Sequence, residues 1–303
     1  MSIIVAGAPV SFGVFELTPD DPAVRLPTAD EVCGVLQETG YAGVDMGPVG
    51  FLGTGADLLA RLQAHGLELA GGWVDLPFSD DEAFAAALPR LDEALASVFV
   101  PALESGPSKA PLPTLADSGD QLRKANPGGG AGHMLDEAGW GRFCRNLQTA
   151  TERVRAAGLE PTFHHHAGTF IETPEEIDEL LERTDVGLTF DSGHLLLGGG
   201  DVLEGWTQWG HRINHLHLKD VRMEVLRQVV ARSGSMVDVW TGGAFVPFGH
   251  GDLDVAALMK QVLASGYDGW LVVEQDLMPT ASTDPTQVAR DHTYNREQLR
   301  KWL

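Results

Sequence analysis

Basic residues are scarce in this 303-residue chain: 21 Lys and Arg stand against 43 Asp and Glu, a formal charge of −22. A surface of that sign repels phosphate backbones and anionic lipid headgroups, which argues against nucleic-acid and membrane partners. Cysteine is nearly absent. Cys33 and Cys144 are isolated, without a CxxC spacing, so neither a disulfide framework nor a thiolate zinc site is expected. The chain has no uninterrupted apolar run of roughly 18 residues, and MSIIVAGAPVSFG carries no basic stretch ahead of its apolar residues. The reading is a cytoplasmic protein. No G-x-G-x-x-G follows the first strand pattern and no Walker lysine motif occurs, which disfavours a doubly wound nucleotide-binding sheet. Without a G-x-S-x-G elbow or a cysteine in a reactive setting, covalent serine or thiol catalysis is disfavoured as well.

What is present is an ordinary globular composition, 43% hydrophobic and 21% charged, with no linker to divide it, and this predicts one domain over 1–303. Short apolar runs alternate with longer amphipathic segments, the pattern of a parallel sheet covered by helices. Strand patterns fall at IIVAGAP (3–9), GVDMG (43–47), ELAGGWV (68–74), VFVPAL (98–103), EPTFHHH (160–166), VGLTFDSGH (186–194), INHLHLKD (213–220) and WLVVEQD (270–276). Thr173-Pro174-Glu175-Glu176 supplies an N-cap, a proline at the first helical position and early acids, which predicts a helix there. TYNREQLRKWL reads as a last helix covering the barrel. Eight βα repeats predict a single (β/α)8 TIM barrel, with reactive residues at the C-terminal ends of the strands. Two stretches interrupt the rhythm, 105–133 and 221–252, and both read as long loops and candidate lids, with MEVLRQVVAR (223–232) a short helix in the second.

Asp191, His217 and Glu274 each end a different apolar strand, so barrel closure brings them to one mouth. Carboxylate and imidazole beside an apolar core are costly unless paired, and coordination to a divalent cation offsets that cost. Ligands of this kind, without thiolate, suit Mn²⁺, Co²⁺, Mg²⁺, Fe²⁺ or Zn²⁺. His215 shares a strand face with His217 and is either a further contact at the site or an interior histidine. His194 stands three residues past Asp191 and can reach a ligand shared with it. In the triplet, His164 and His166 face one way and His165 the other, and a histidine there can ligate metal, transfer protons or hold hydroxyls. Glu172 is a supporting acid or a charge matched to the helix that follows. Lys219 extends its strand into the mouth, where it can stabilise an enolate or pair with Asp220 at the surface. Trp73, Phe12 and Trp240 can stack on a sugar-like ring or pack in the core.

HHHAGTFIET, FDSGH, INHLHLKDVR, VPFGHGDLD and GWLVVEQD resemble, in order and spacing, the sugar-phosphate isomerase/epimerase superfamily of xylose-isomerase-like barrels, and within it the inosose dehydratase-like branch. The similarity is best over 159–276, while APVSFGVFE and GYAGVDMGP look like the opening strands of that branch. The resemblance implies a (β/α)8 barrel that binds a divalent metal through Asp191, His217 and Glu274, with Mn²⁺ or Co²⁺ foremost. Relatives often end the fifth strand in a glutamate ligand; the histidine triplet stands there instead, and His164 is the candidate fourth ligand. Asp45 replaces a frequent glutamate and His250 a short acidic residue, differences that bear on substrate.

The activity so implied is a lyase or isomerase acting on a keto-polyol or ketose through an enediolate, inosose dehydration first. Ketose 3-epimerisation, sugar (phosphate) isomerisation and eliminating cleavage of a keto-glycoside are the alternatives. Glu274, His164 and His166 are the candidates for proton transfer, with Lys219 stabilising or orienting. His194, Asp45, Trp73, His250 and His215 are the candidates for substrate contact. The superfamily also resembles metal-dependent apurinic endonucleases, which need a basic face that a charge of −22 opposes. A sugar-binding protein without catalysis is the non-enzymatic reading. A barrel with long loops also suits a homo-oligomer.

Overall fold

The computed structural model describes residues 3–17, 21–128 and 132–303. The Gly-rich NPGGGAGH stretch therefore lies partly outside the described residues.

Eight parallel strands close into a barrel, in the order β1, β10, β7, β6, β5, β4, β3, β2. They are β1 (Ile4–Gly7), β2 (Gly43–Asp45), β3 (Glu68–Leu76), β4 (Leu112–Asp117), β5 (Thr162–His164), β6 (Gly187–Asp191), β7 (Ile213–Leu218) and β10 (Trp270–Val273). Two shorter strands, β8 (Asp220–Val221) and β9 (Phe245–Val246), pair antiparallel outside the barrel. Among the described residues, no helix is long and apolar enough to cross a membrane.

The two-residue period of the strands separates two layers. Outward residues such as Val5, Val44, Leu115, Phe163, Phe190, Leu216 and Leu271 are buried in one continuous apolar cluster with the surrounding helices. Inward residues are small or polar: Ala6, Ala70 and Val272 with the ring of Trp270 form a separate apolar cluster. Thr162 and Thr189 share a hydrogen bond of 2.8 Å between buried hydroxyls.

The expected strand at 98–103 is helical. A helix over Asp81–Ala94 continues through a π turn, Leu95–Phe99, into Val100–Glu104. The buried positions Leu91, Ala94, Leu95, Val98, Phe99 and Ala102 recur every three or four residues, a helical period that the β-branched run conceals. The fourth strand is instead Leu112–Asp117, inside the stretch expected to be a loop. Pro113 disguises it. That residue pairs with Gly72 of β3, while the neighbour on its other side, β5, begins pairing only at Thr114, so the missing N–H breaks no β4–β5 bond.

The second excursion is largely ordered as read. Met223–Ala231 is a helix, followed by Met236–Thr241 and β9. The helix expected after Thr173 spans Pro174–Arg183 and opens with a capping box between Thr173 and Glu176. The final helix, Pro285–Leu299, packs back against the helix Ala29–Thr39.

Candidate active site

A cavity of about 250 Å³ opens at the C-terminal end of the barrel. Its floor is polar, with Asp45, His164, His166, His217, Lys219, Glu274 and Asp276, and its upper wall is apolar, with Val10, Val14, Met236, Trp240 and Leu277.

Asp191 shows how local structure delivers a functional oxygen. The residue caps the helix Ser192–Leu197, its Oδ1 accepting from the backbone N–H groups of Gly193 and His194, each at 2.9 Å. Oδ2 is left for the site, where His164 Nε2 and Lys219 Nζ each lie 3.2 Å from it. Gly193 is required at this helix start, because a Cβ there would fall 2.7 Å from Cβ of Lys219. His165 faces outward, as expected from the alternation, and its Nε2 accepts from the Asp191 N–H at 3.2 Å. Burial pushes the His165 imidazole down to about 3, which keeps it neutral and able to accept.

Around Asp191 Oδ2 the other strand ends converge. His164 Nε2 lies 3.2 Å away and His217 Nδ1 3.7 Å away. Glu274 Oε2 is 2.9 Å from His217 Nδ1. Burial favours the neutral carboxyl of Glu274, yet His217 and Lys219 outweigh it and hold the group below the ordinary carboxylate range. His217 is displaced upward: burial opposes its charge, and Glu274, Asp45 and Asp191 overcome burial.

Lys219 is no surface residue. Its Nζ sits 2.8 Å from Asp276, 2.9 Å from Glu274 and 3.2 Å from Asp191. Burial alone would depress the ammonium, but these carboxylates outweigh burial and raise it well above its usual value, which favours the charged form.

A second polar group borders the first. The rings of His166 and His194 lie with centroids 3.6 Å apart, tilted by 36°, and His194 Nε2 lies 3.3 Å from Asp276. His166 Nδ1 faces the Ala167 carbonyl at 2.8 Å; a carbonyl only accepts, so Nδ1 carries the proton and Nε2 has a free lone pair. The Ala167 N–H donates to His194 Nδ1 at 3.4 Å, and His194 Nε2 lies between Asp276, 3.3 Å away, and Lys219 Nζ, 3.2 Å away. Burial depresses both imidazoles well below their ordinary value, so both are neutral.

Asp191, His217, Glu274, His164, His166, His194, Lys219 and Asp45 are therefore assembled at one mouth, and Trp73 stands edge-on to His164 and His166 in the cavity wall. Asp191 and His194 do not share a ligand position: Asp191 groups with His164 and His217, and His194 with His166 and Asp276.

Other expected contacts lie elsewhere. His250 is exposed, its ring against Tyr294. The loop folds around Asp220, whose carboxylate accepts from the N–H groups of Val221, Gly249, Gly251 and Leu253, and this turns His250 away from the cavity. His215 is buried beneath His217 and does not line the cavity. Phe12 stacks on His292 in the core at 4.6 Å. Glu172 is buried, accepting from Gly128 and Gly168 beside Arg123, and so pins the loop after β5.

Asp276 was not singled out by the sequence reading. The signal was present: in Glu274-Gln275-Asp276 the strand alternation puts both acids on the inner face. Asp75, Asp117 and Lys124 also line the mouth, from β3, β4 and the segment after it, where the strand assignment was wrong or incomplete.

Comparison with known proteins fits this architecture. The family of xylose isomerase-like TIM barrels matches residues 116–297. The chain belongs to that family. It is 34% identical to the rhizopine catabolism protein MocC of Rhizobium meliloti, over 96% of this chain and 87% of that one. Identity to the inosose dehydratase of Geobacillus kaustophilus is 31%, over 88% and 84% respectively. In fold it matches the crystal structure of IOLI protein with a bound zinc atom at a TM-score of 0.67 and 14% identity, over 99% of each chain.

Proposed function

We propose that this protein is a divalent-metal-dependent lyase that dehydrates an inosose-like keto-cyclitol. The observation that carries the reading is the buried group of His164, Asp191 and His217, whose ligand atoms lie within 4.8 Å of one another, with Glu274 Oε2 2.9 Å from His217 Nδ1. These residues fit a cation: their buried ligand atoms face one another at 2.9–3.7 Å, and a set of two imidazoles and two carboxylates suits Mn²⁺, Co²⁺ or Zn²⁺. Similarity to an inosose dehydratase over most of both chains supports the substrate class.

His164, Asp191, His217 and Glu274 would hold the metal, which when bound polarises the ketone and acidifies the neighbouring C–H. The remaining residues handle charge and protons. Lys219 Nζ, itself buried, donates toward the oxygen on which negative charge develops. His166 Nε2, neutral and unprotonated, takes the proton from the carbon beside the ketone. The same proton then passes from Nε2 to the β-hydroxyl, the C–O bond breaks, and the hydroxyl leaves as water. Asp276 and His194 fix Lys219 and His166 in place for this sequence. Trp73 and Trp240 flank the ring of the substrate.

The test is depletion and restoration. Protein stripped with a chelator is expected to convert no inosose, and Mn²⁺ or Co²⁺ to restore water loss; full activity in the stripped, metal-free protein would overturn the reading. A ketose epimerised at equal rate would move the assignment to the isomerase side of the same chemistry.

A further inference from the structure

His217 is approached from both edges of its ring. Nδ1 faces Glu274 and Asp191, while Nε2 faces Asp45, whose Oδ2 is 3.6 Å away. Asp45 is buried at the end of β2. Beneath both lies His215, with its ring centroid 5.0 Å from that of His217 and neither of its nitrogens hydrogen-bonded among the described residues. Gly71 on the neighbouring strand makes room for this floor: a Cβ there would come 3.1 Å from both Asp45 Oδ1 and His215 Nε2.

We propose that Asp45 is a positioning residue for His217, an inference that rests on the metal site argued above. A ligating histidine presents one nitrogen to the metal and donates its other N–H to a fixed acceptor, which sets the tautomer, the ring orientation and the basicity of the ligating nitrogen. Asp45 is the carboxylate on that far side: its Oδ2, 3.6 Å from Nε2, pairs with that edge of the ring by charge and is placed to receive the Nε2–H when a cation takes Nδ1. His215 packs against the ring from below and limits its tilt.

A competing reading of the same atoms is a second cation on the floor, because Asp45, His215 and His217 offer ligand atoms within 4.8 Å of one another. The positioning role is favoured because Asp45 Oδ2 faces the edge of the His217 ring opposite the one turned to Asp191 and Glu274.

The experiment is isothermal titration of Zn²⁺ and Co²⁺ into chelator-stripped wild type, Asp45→Leu and Asp45→Asn, with circular dichroism on each variant to confirm the fold. Wild type is expected to bind one ion. Asp45→Leu is expected to bind one ion with affinity weaker by about 10- to 100-fold, and Asp45→Asn, whose carbonyl can still accept, to recover part of the loss. In the Zn²⁺ form, proton NMR is expected to show a protected downfield Nε2–H resonance of His217 that disappears in Asp45→Leu. Folded Asp45→Leu with wild-type affinity and an unchanged resonance would overturn the proposal. So would a wild type that binds two ions and an Asp45→Leu that binds one. Wild type binding no divalent ion would instead sink the metal site itself, and this inference with it.

Discussion

Single side chains at this mouth carry two duties on separate atoms, and that makes them separable by mutation. Asp191 caps a helix with Oδ1 and faces the site with Oδ2. Asparagine is as good an N-cap as aspartate. Asp191→Asn is therefore expected to melt close to wild type while its divalent affinity falls by about 100-fold or more, beyond the usual cost of losing an outer partner. Calorimetric melts beside the metal titration check both halves. Lys219 is the opposite case: it neutralises Asp191, Glu274 and Asp276 at once. Lys219→Met leaves buried carboxylates uncompensated, with an expected loss of roughly 3–5 kcal/mol in the metal-free protein, measured by denaturant titration. At this scale the sequence was informative where a strand's two-residue alternation ran straight into the site, as in His215-Leu216-His217. It was misleading at His250, because the loop's direction is set by Asp220 and the backbone N–H groups it gathers, contacts no local pattern reveals.

Elements were legible when period and boundaries agreed. The segment after Thr173 announced its own cap, and β5, β6, β7 and β10 lay within a few residues of their apolar runs. VFVPAL was misread because β-branched residues in a short apolar run fit a strand and a buried helix equally, and only its continuation from the helix Asp81–Ala94 decides between them. The true β4 was hidden by Pro113, tolerated because β5 does not pair at that position. The excursion over 221–252 contributes Met236 and Trp240 to the cavity wall. A residue that shapes the pocket without touching the reacting atoms acts on binding, so Trp240→Ala is expected to raise KM several-fold with kcat within about twofold of wild type, read from steady-state kinetics.

For the molecule as a whole, one buried core imidazole, His292, ties stability to pH. His292 is buried against Phe12, and burial pushes it down to about 4 from an ordinary 6.5. Between those values the unfolded chain binds a proton that the folded chain does not, so stability rises with pH through this window and is lost as pH falls from 6.5 toward 4. The contribution at the acid end amounts to roughly 3 kcal/mol. His292→Phe, which keeps the stack, is expected to flatten the pH dependence of the melting temperature between pH 4 and 6.5; an unchanged slope would show that another group is responsible.

The central claim is that four strand-end ligands and a neutral histidine base enolise a keto-cyclitol and expel water. Proton NMR of inosose incubated with the protein in D₂O, with and without Mn²⁺ or Co²⁺, tests it most directly. The account predicts metal-dependent loss of water to an unsaturated product, with deuterium entering beside the ketone no faster than His166 exchanges its proton. Unchanged inosose, with no deuterium at the adjacent carbon in metal-loaded protein, would contradict it.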